Sequence, residues 1–142
     1  MSPMKILVVG CGRVGAILAN LYDKAGHEVS VVDEDEEAAE RLAPDFSGEF
    51  FKGVGLDVDV LGEAGIEQAE ACLVATDGDN TNLVVAEIAR ERFHVPCVVV
   101  RVFDPNRAKF FEARGLRVVC PVALTADLMH QAVSDYRGEV VE

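Results

Sequence analysis

Short, uninterrupted apolar runs alternate along the chain with longer stretches in which apolar residues recur every three or four positions. The runs predict strands at 6–9, 29–33, 49–52, 71–75, 98–102 and 117–119. Most are continuous Val, Ile and Leu, the pattern of strands covered by helices on both faces. Residues 13–24 carry Val14, Ile17, Leu18 and Leu21 at helical spacing and stop at Gly26, a good left-handed cap. Residues 34–43, rich in Ala and acid, stop before Pro44, and 57–64 stop at Gly65. The stretch 79–93 offers Leu83, Val84, Ala86, Ile88 and Ala89 as an inner face, and Pro96 separates it from the next strand. Asp104 and Pro105 read as an N-cap and first helical position, Gly115 as the terminator, and a last helix runs over about 122–136.

Strand followed by helix six times over, with right-handed crossovers, gives an α/β fold: a doubly wound, parallel, six-stranded Rossmann-like sheet. At 142 residues the chain suits one domain, 1–142, with one core and no further domain after Glu142.

The first predicted strand runs into Gly10-Cys11-Gly12-Arg13-Val14-Gly15, which is G-x-G-x-x-G. In such a fold the first glycine permits the tight turn, the second lets backbone approach a pyrophosphate, and the third lets the helix pack close to the sheet. A pyrophosphate then sits on the unpaired N–H groups opening the helix, with Arg13 placed to add a charge-assisted bond. The second strand ends in Asp33, 18 residues beyond Gly15, near the spacing expected of the acid that accepts ribose hydroxyls. Its carboxylate would repel a 2′-phosphate, favouring NAD or an adenine nucleotide over NADP. The competing reading makes the glycines a plain turn and Asp33 a helix cap. Glu34 joins the candidate ligand contacts, while the acids at 34–37 read as a solvated helix start and not a metal site.

Thirteen Lys and Arg against twenty-five Asp and Glu give a net charge of −12, the wrong sign for nucleic acid. No apolar run approaches the roughly 20 residues of a membrane-spanning helix, so direct membrane insertion is not expected, and Met1 does not open a secretory signal. Cys11, Cys72, Cys97 and Cys120 lie far apart with no C-x-x-C pair, which reads as reduced thiols in the cytoplasm. Cys11 at a helix N-terminus raises the idea of a lowered thiol pKa and redox sensing, against its being a small residue tolerated in a crowded loop.

The segment from Phe51 to Arg90 resembles the N-terminal nucleotide-binding domain of TrkA-type potassium-uptake regulators, the RCK or KTN domain, on Gly53, Asp57, Leu61, Ala64-Gly65-Ile66, Ala69-Glu70, Thr76, Asp79 and Asn82. The later segment with Arg101, Asp104 and Pro105 resembles the family's fifth strand and following helix start. One position departs: the acid usual after the third-strand glycine is Val54, so backbone at Val54 and Gly55, beside Gly53, would have to meet the adenine. The resemblance implies that Thr76 and Asp77 border ribose and phosphates, and adds Asn82 and Arg101 to the candidate contacts. For Asp77 an ordinary turn competes with that role. Arg101 is open between a phosphate contact, an ion pair across a dimer and a bland surface position.

Hydride transfer needs a substrate pocket with an acid or base, normally built from structure beyond the dinucleotide fold. His27, His94 and His130 read as surface or interhelical residues. The leading expectation is therefore a non-enzymatic regulatory domain that binds NAD(H) or ATP/ADP and gates a potassium transporter or channel membrane subunit. The resemblance implies homodimers or rings at the inner face of the membrane, with Leu124, Leu128, Met129 and Val133 of the last helix either crossing to a neighbour or packing at home. The alternative is an NAD-dependent oxidoreductase lacking its substrate domain.

Overall fold

Leu7 and Val9 point to one side of the first strand and Ile6 and Val8 to the other, and all four are buried. That alternation without a solvent face marks a central strand. A computed structural model describes residues 2–138 and places this strand, β1 (Lys5–Val9), in the middle of a parallel sheet. The others are β2 (Glu28–Asp33), β3 (Glu49–Lys52), β4 (Ala71–Val74), β5 (Cys97–Arg101) and β6 (Arg117–Val119), in the order β3-β2-β1-β4-β5-β6. This is the doubly wound Rossmann-like arrangement that the alternation predicts. Glu142, where the expectation of no further domain was anchored, lies outside the described residues.

Five α-helices are formed among the described residues: α1 (Arg13–Lys24), α2 (Val58–Glu63), α3 (Asp79–Glu87), α4 (Pro105–Ala113) and α5 (Pro121–Arg137). Leu61 of α2, Leu83 and Val85 of α3 and Ala108 of α4 pack with Leu7, Val9, Val74 and Val100 on one face of the sheet. Ala16 and Ala19 of α1 and Ala38 pack with Ile6, Val8, Val29 and Val31 on the other. In register, Val9 pairs with both Val32 and Val74, so three strands end level and their next residues form one edge.

Four helical expectations need correction. Three of the four named apolar residues of α1 lie off its inner face: Gly15, Ala16 and Ala19 are buried and Leu18 is half-buried against the core, whereas Ile17 is 66% exposed and Val14 and Leu21 are exposed too. Gly15 is the reason, because a Cβ there would overlap the Gly10 carbonyl, and so close an approach leaves room only for small residues beneath the helix. After β2 comes a short 3-10 helix, Glu36–Arg41, because the side chains of Asp33 and Asp35 take the Asp35 and Glu37 N–H groups and tighten the chain. The stretch 79–93 is α-helical only to Glu87 and continues as a π-turn, Ile88–Arg92, burying Val85 rather than Val84. Along α5 only Ser134 is buried; Leu124, Leu128, Met129 and Val133 all face outward, so they do not pack within their own subunit.

Candidate functional site

Beyond the level ends of β1, β2 and β4 the chain turns away in three directions and leaves a crevice of about 370 Å³. It opens where strand order reverses, between β1 and β4, the position at which doubly wound sheets bind ligands. Gly10 makes the turn out of β1 at φ +103°, and its N–H extends the ladder to the Val32 carbonyl at 2.8 Å. A Cβ at Gly10 would collide with the Ala75 carbonyl, while one at Gly12 would meet nothing. The Gly12 N–H finds no acceptor among the described residues, and the first N–H groups of α1 have none within the helix. These bare donors and the positive end of the α1 dipole are suited to an anion.

Asp33 holds this loop. Its Oδ2 accepts the Cys11 N–H at 2.7 Å and its Oδ1 the Asp35 N–H at 2.8 Å, and each oxygen keeps lone-pair capacity for a hydroxyl. The capping reading of Asp33 was thus partly right: it bonds the segment after β2, but Asp35 is the N-cap of the 3-10 helix.

On the far side, a polar brace fixes the end of β4. Asn82, fully buried, accepts the Thr76 N–H at 2.9 Å and the Thr76 hydroxyl, and donates to the carbonyls of Thr76 at 3.0 Å and Arg101 at 2.9 Å. Arg101 Nη2 donates to the carbonyls of Ala75 at 3.2 Å and Thr76 at 3.0 Å, and lies 3.8 Å from the Asp77 carboxylate. Its guanidinium covers the Phe103 ring at 4.8 Å, and its Nε finds no acceptor among the described residues. Asp79 accepts the N–H groups of Phe103 at 2.7 Å and Asp104 at 3.0 Å. Thr76, Asp79 and Asn82 therefore tie β4, α3 and the end of β5 together.

Among the expected contacts, Gly10, Gly12, Asp33, Glu34, Val54, Gly55, Thr76 and Asp77 line the crevice. The others do not. Cys11 and Gly15 are buried beneath the loop, Arg13 and Val14 are exposed outside the lining, and Gly53 faces Val60 while its N–H donates to the Asp33 carbonyl at 3.0 Å. Asn82 and Arg101 stand behind the wall as braces.

The TrkA-N domain family profile matches residues 6–121. The chain belongs to the TrkA-N domain family. It is 44% identical over 126 residues to the Trk system potassium uptake protein TrkA of Streptomyces coelicolor, an alignment covering 89% of this chain and 56% of that protein. The chain thus spans little more than half of that relative's length. Among solved structures, the GsuK channel bound to NAD superposes with a TM-score of 0.79 at 21% identity, covering 96% of this chain and 24% of that one. The Kef C-terminal domain of Shewanella denitrificans in its AMP-bound form gives 0.75 at 21% identity, covering 92% and 80%. At those identities the likeness is one of fold.

Several lining residues of this TrkA-N domain escaped the sequence reading. Val9, Val32 and Ala75 each directly precede a residue that was named, and strand-end geometry alone would have added them. Gly78 and Thr81 open α3. Arg41 carried no local signal: it follows an acidic run, yet it lines the crevice and its Nη1 donates to the Cys11 carbonyl at 3.2 Å. The idea of an activated Cys11 thiol is overturned. Burial, then the nearby Asp33 carboxylate, push its pKa up despite an opposing pull from Arg41, and Sγ donates to the Ala38 carbonyl at 3.3 Å. Burial pushes Cys72 up to about 12.

Proposed function

We propose that this chain is the nucleotide-binding domain of a potassium-transport regulator, and that occupancy of the crevice by NAD(H) or ATP/ADP biases the arrangement of subunits gating a membrane transporter or channel. The observation that carries this reading is the pairing of the Gly12 N–H, which has no acceptor among the described residues, with the two-oxygen carboxylate of Asp33, at the switch point of a TrkA-N fold. Phosphates meet the donors, ribose hydroxyls meet Asp33, and the backbone at Val54 and Gly55 borders the base. Asp33, Glu34 and Asp35 together oppose a 2′-phosphate, which disfavours NADP. The names of the relatives support the setting: a Trk potassium uptake protein by sequence, and a channel bound to NAD and an AMP-bound domain by fold.

The reading is of a sensor and not an enzyme. Carboxylates gather at the ribose end of the crevice, and neither a histidine nor a cysteine is among its described lining residues. A ligand shifts such an equilibrium by its differential affinity for two states, without breaking a bond. The exposed apolar stripe of α5 supports assembly into homodimers or rings through that helix, on the cytoplasmic face of the membrane subunit. Among the described residues no helix is long and apolar enough to cross a membrane.

A thermal-shift panel of NAD, NADH, NADP, AMP, ADP and ATP tests the reading. Ligand at about 100 times its dissociation constant stabilises by about 2.7 kcal/mol, which raises Tm by about 5–11 °C in a domain of this size. NAD(H) or an adenosine phosphate is expected to do so and NADP much less. No shift with any of them would overturn the proposal, and steady NADH oxidation with a carbonyl substrate would overturn the sensor reading.

A further inference from the structure

Arg41 is the single cation among the described residues lining the crevice, where Asp33, Glu34, Asp35 and Asp77 are anionic. Its visible partner is nevertheless a main-chain oxygen, the Cys11 carbonyl, 3.2 Å from Nη1. The Cys11–Gly12 peptide is planar and trans, so its carbonyl and its N–H point in opposite directions. Arg41 ends the 3-10 helix after β2, with its carbonyl accepting from Asn20 Nδ2 of α1 at 3.3 Å, whereas Thr76 and Asp77 follow β4 on the other side of β1. Holding the Cys11 carbonyl toward Arg41 therefore fixes the Gly12 N–H on the opposite side of the peptide, and that N–H, on a residue lining the crevice, has no acceptor among the described residues.

The peptide before it, Gly10–Cys11, is held as well. The Cys11 N–H is bonded to Asp33 Oδ2 at 2.7 Å, so the residue between the first two glycines is clamped by a carboxylate on its N–H and a guanidinium on its carbonyl. A Cβ at Gly12 would meet nothing, so no side-chain packing at that position bears on the peptide. Arg41 bonds this peptide by its carbonyl, and Asp33 bonds the one before it by its N–H.

We propose that Arg41 is a positioning residue of the crevice: by holding the Cys11 carbonyl it presents the Gly12 N–H to the ligand's phosphates, and it sets affinity without touching them. The proposal rests on the nucleotide-binding reading above. A charge-assisted hydrogen bond to the guanidinium also polarises the peptide, strengthening the Gly12 N–H as a donor.

The test uses the whole chain as wild type, Arg41→Ala and Arg41→Lys, in two arms. Without ligand, ¹H–¹⁵N spectra follow the Gly12 and Cys11 amides. With AMP, ADP and NAD, calorimetry gives affinities at low and high salt. The Gly12 amide is expected to move or broaden in ligand-free Arg41→Ala. Affinity should fall about tenfold for each ligand alike, with little change in salt dependence, and Arg41→Lys should restore most of it. Unchanged affinity in Arg41→Ala would overturn the proposal. So would a loss that grows with phosphate number and fades in salt while the Gly12 amide stays in place, since that marks direct contact with the phosphates. If wild type bound none of the three ligands, the binding reading would fail by itself, and an unmoved Gly12 amide would still refute the clamp.

Discussion

Asp33→Asn separates the two tasks assigned to that side chain, because each oxygen of the carboxylate already accepts a backbone N–H, from Cys11 at 2.7 Å and Asp35 at 2.8 Å. An amide keeps one acceptor oxygen and turns an NH₂ toward the other N–H, so one charge-assisted bond is lost before any ligand arrives. Hydrogen bonds to charged groups contribute about 1.5–3 kcal/mol, and Asp33 is only partly buried, so the low end applies. A loss of about 1.5 kcal/mol lowers the ligand-free Tm by about 5 °C. The ribose hydroxyls lose a charged acceptor as well, which weakens NAD or ADP by about tenfold or more. NADP should lose less than NAD, since repulsion of its 2′-phosphate is relieved at the same time. Scanning calorimetry without ligand and titration calorimetry with each nucleotide measure both effects. Glu34→Gln is the control, as Glu34 lines the crevice but makes no hydrogen bond among the described residues. If Asp33→Asn keeps both its melting temperature and its nucleotide affinity, the assignment of Asp33 as loop anchor and ribose acceptor is wrong.

The glycines should separate cleanly. Gly12→Val, with open space at its Cβ, should keep the ligand-free Tm within about 2 °C yet abolish the nucleotide shift, whereas Gly15→Val should lose well over 1–3 kcal/mol because its side chain overlaps the Gly10 carbonyl. A Gly12→Val protein that still binds would refute the loop assignment. Alkaline stability should report the buried thiol of Cys72. The folded state holds the proton up to about pH 12 while the unfolded thiol releases it near 9, so this contribution is complete below pH 9 and is lost as pH rises through that window. Comparing urea midpoints of wild type and Cys72→Ala between pH 8 and 11 should show the wild type falling faster, and parallel curves would contradict it. Leu128→Lys and Met129→Lys, at positions 65% and 67% exposed, should leave the circular dichroism unchanged but shift sedimentation toward the monomer. Unaltered sedimentation of an oligomer would remove α5 from the interface.

The sheet was legible because each strand is built on an apolar run, and each begins and ends within about a residue of the run that predicts it. Glycine-loop spacing and Asp33 located the crevice for the same reason: tight turns and close backbone approach demand specific residues. What sequence hid was direction. In α1 Val14, Ile17 and Leu21 imitate an inner face, but the contact with Gly10 that Gly15 permits gives that face to Ala16 and Ala19, with Leu18 beside them. In α3 the buried positions 82, 85, 86 and 89 keep ordinary helical spacing, but counting Asn82 as polar hid that stripe and put Val84 in place of Val85. Among the polar residues, Asn82 and Arg101 stand behind the crevice wall, where Asn82 bonds Thr76 and the Arg101 carbonyl and Arg101 bonds the carbonyls of Ala75 and Thr76, partners that sequence spacing does not show. Arg41 escaped notice because its role depends on the fold bringing a distant carbonyl within 3.2 Å.

The most direct measurement is a crystal structure of the whole chain grown with NAD or ADP. Phosphate oxygens within hydrogen-bond distance of the Gly12 N–H, and ribose hydroxyls on Asp33, are the predicted result. Clear density for the nucleotide at another surface, with the glycine crevice filled only by solvent, would contradict it.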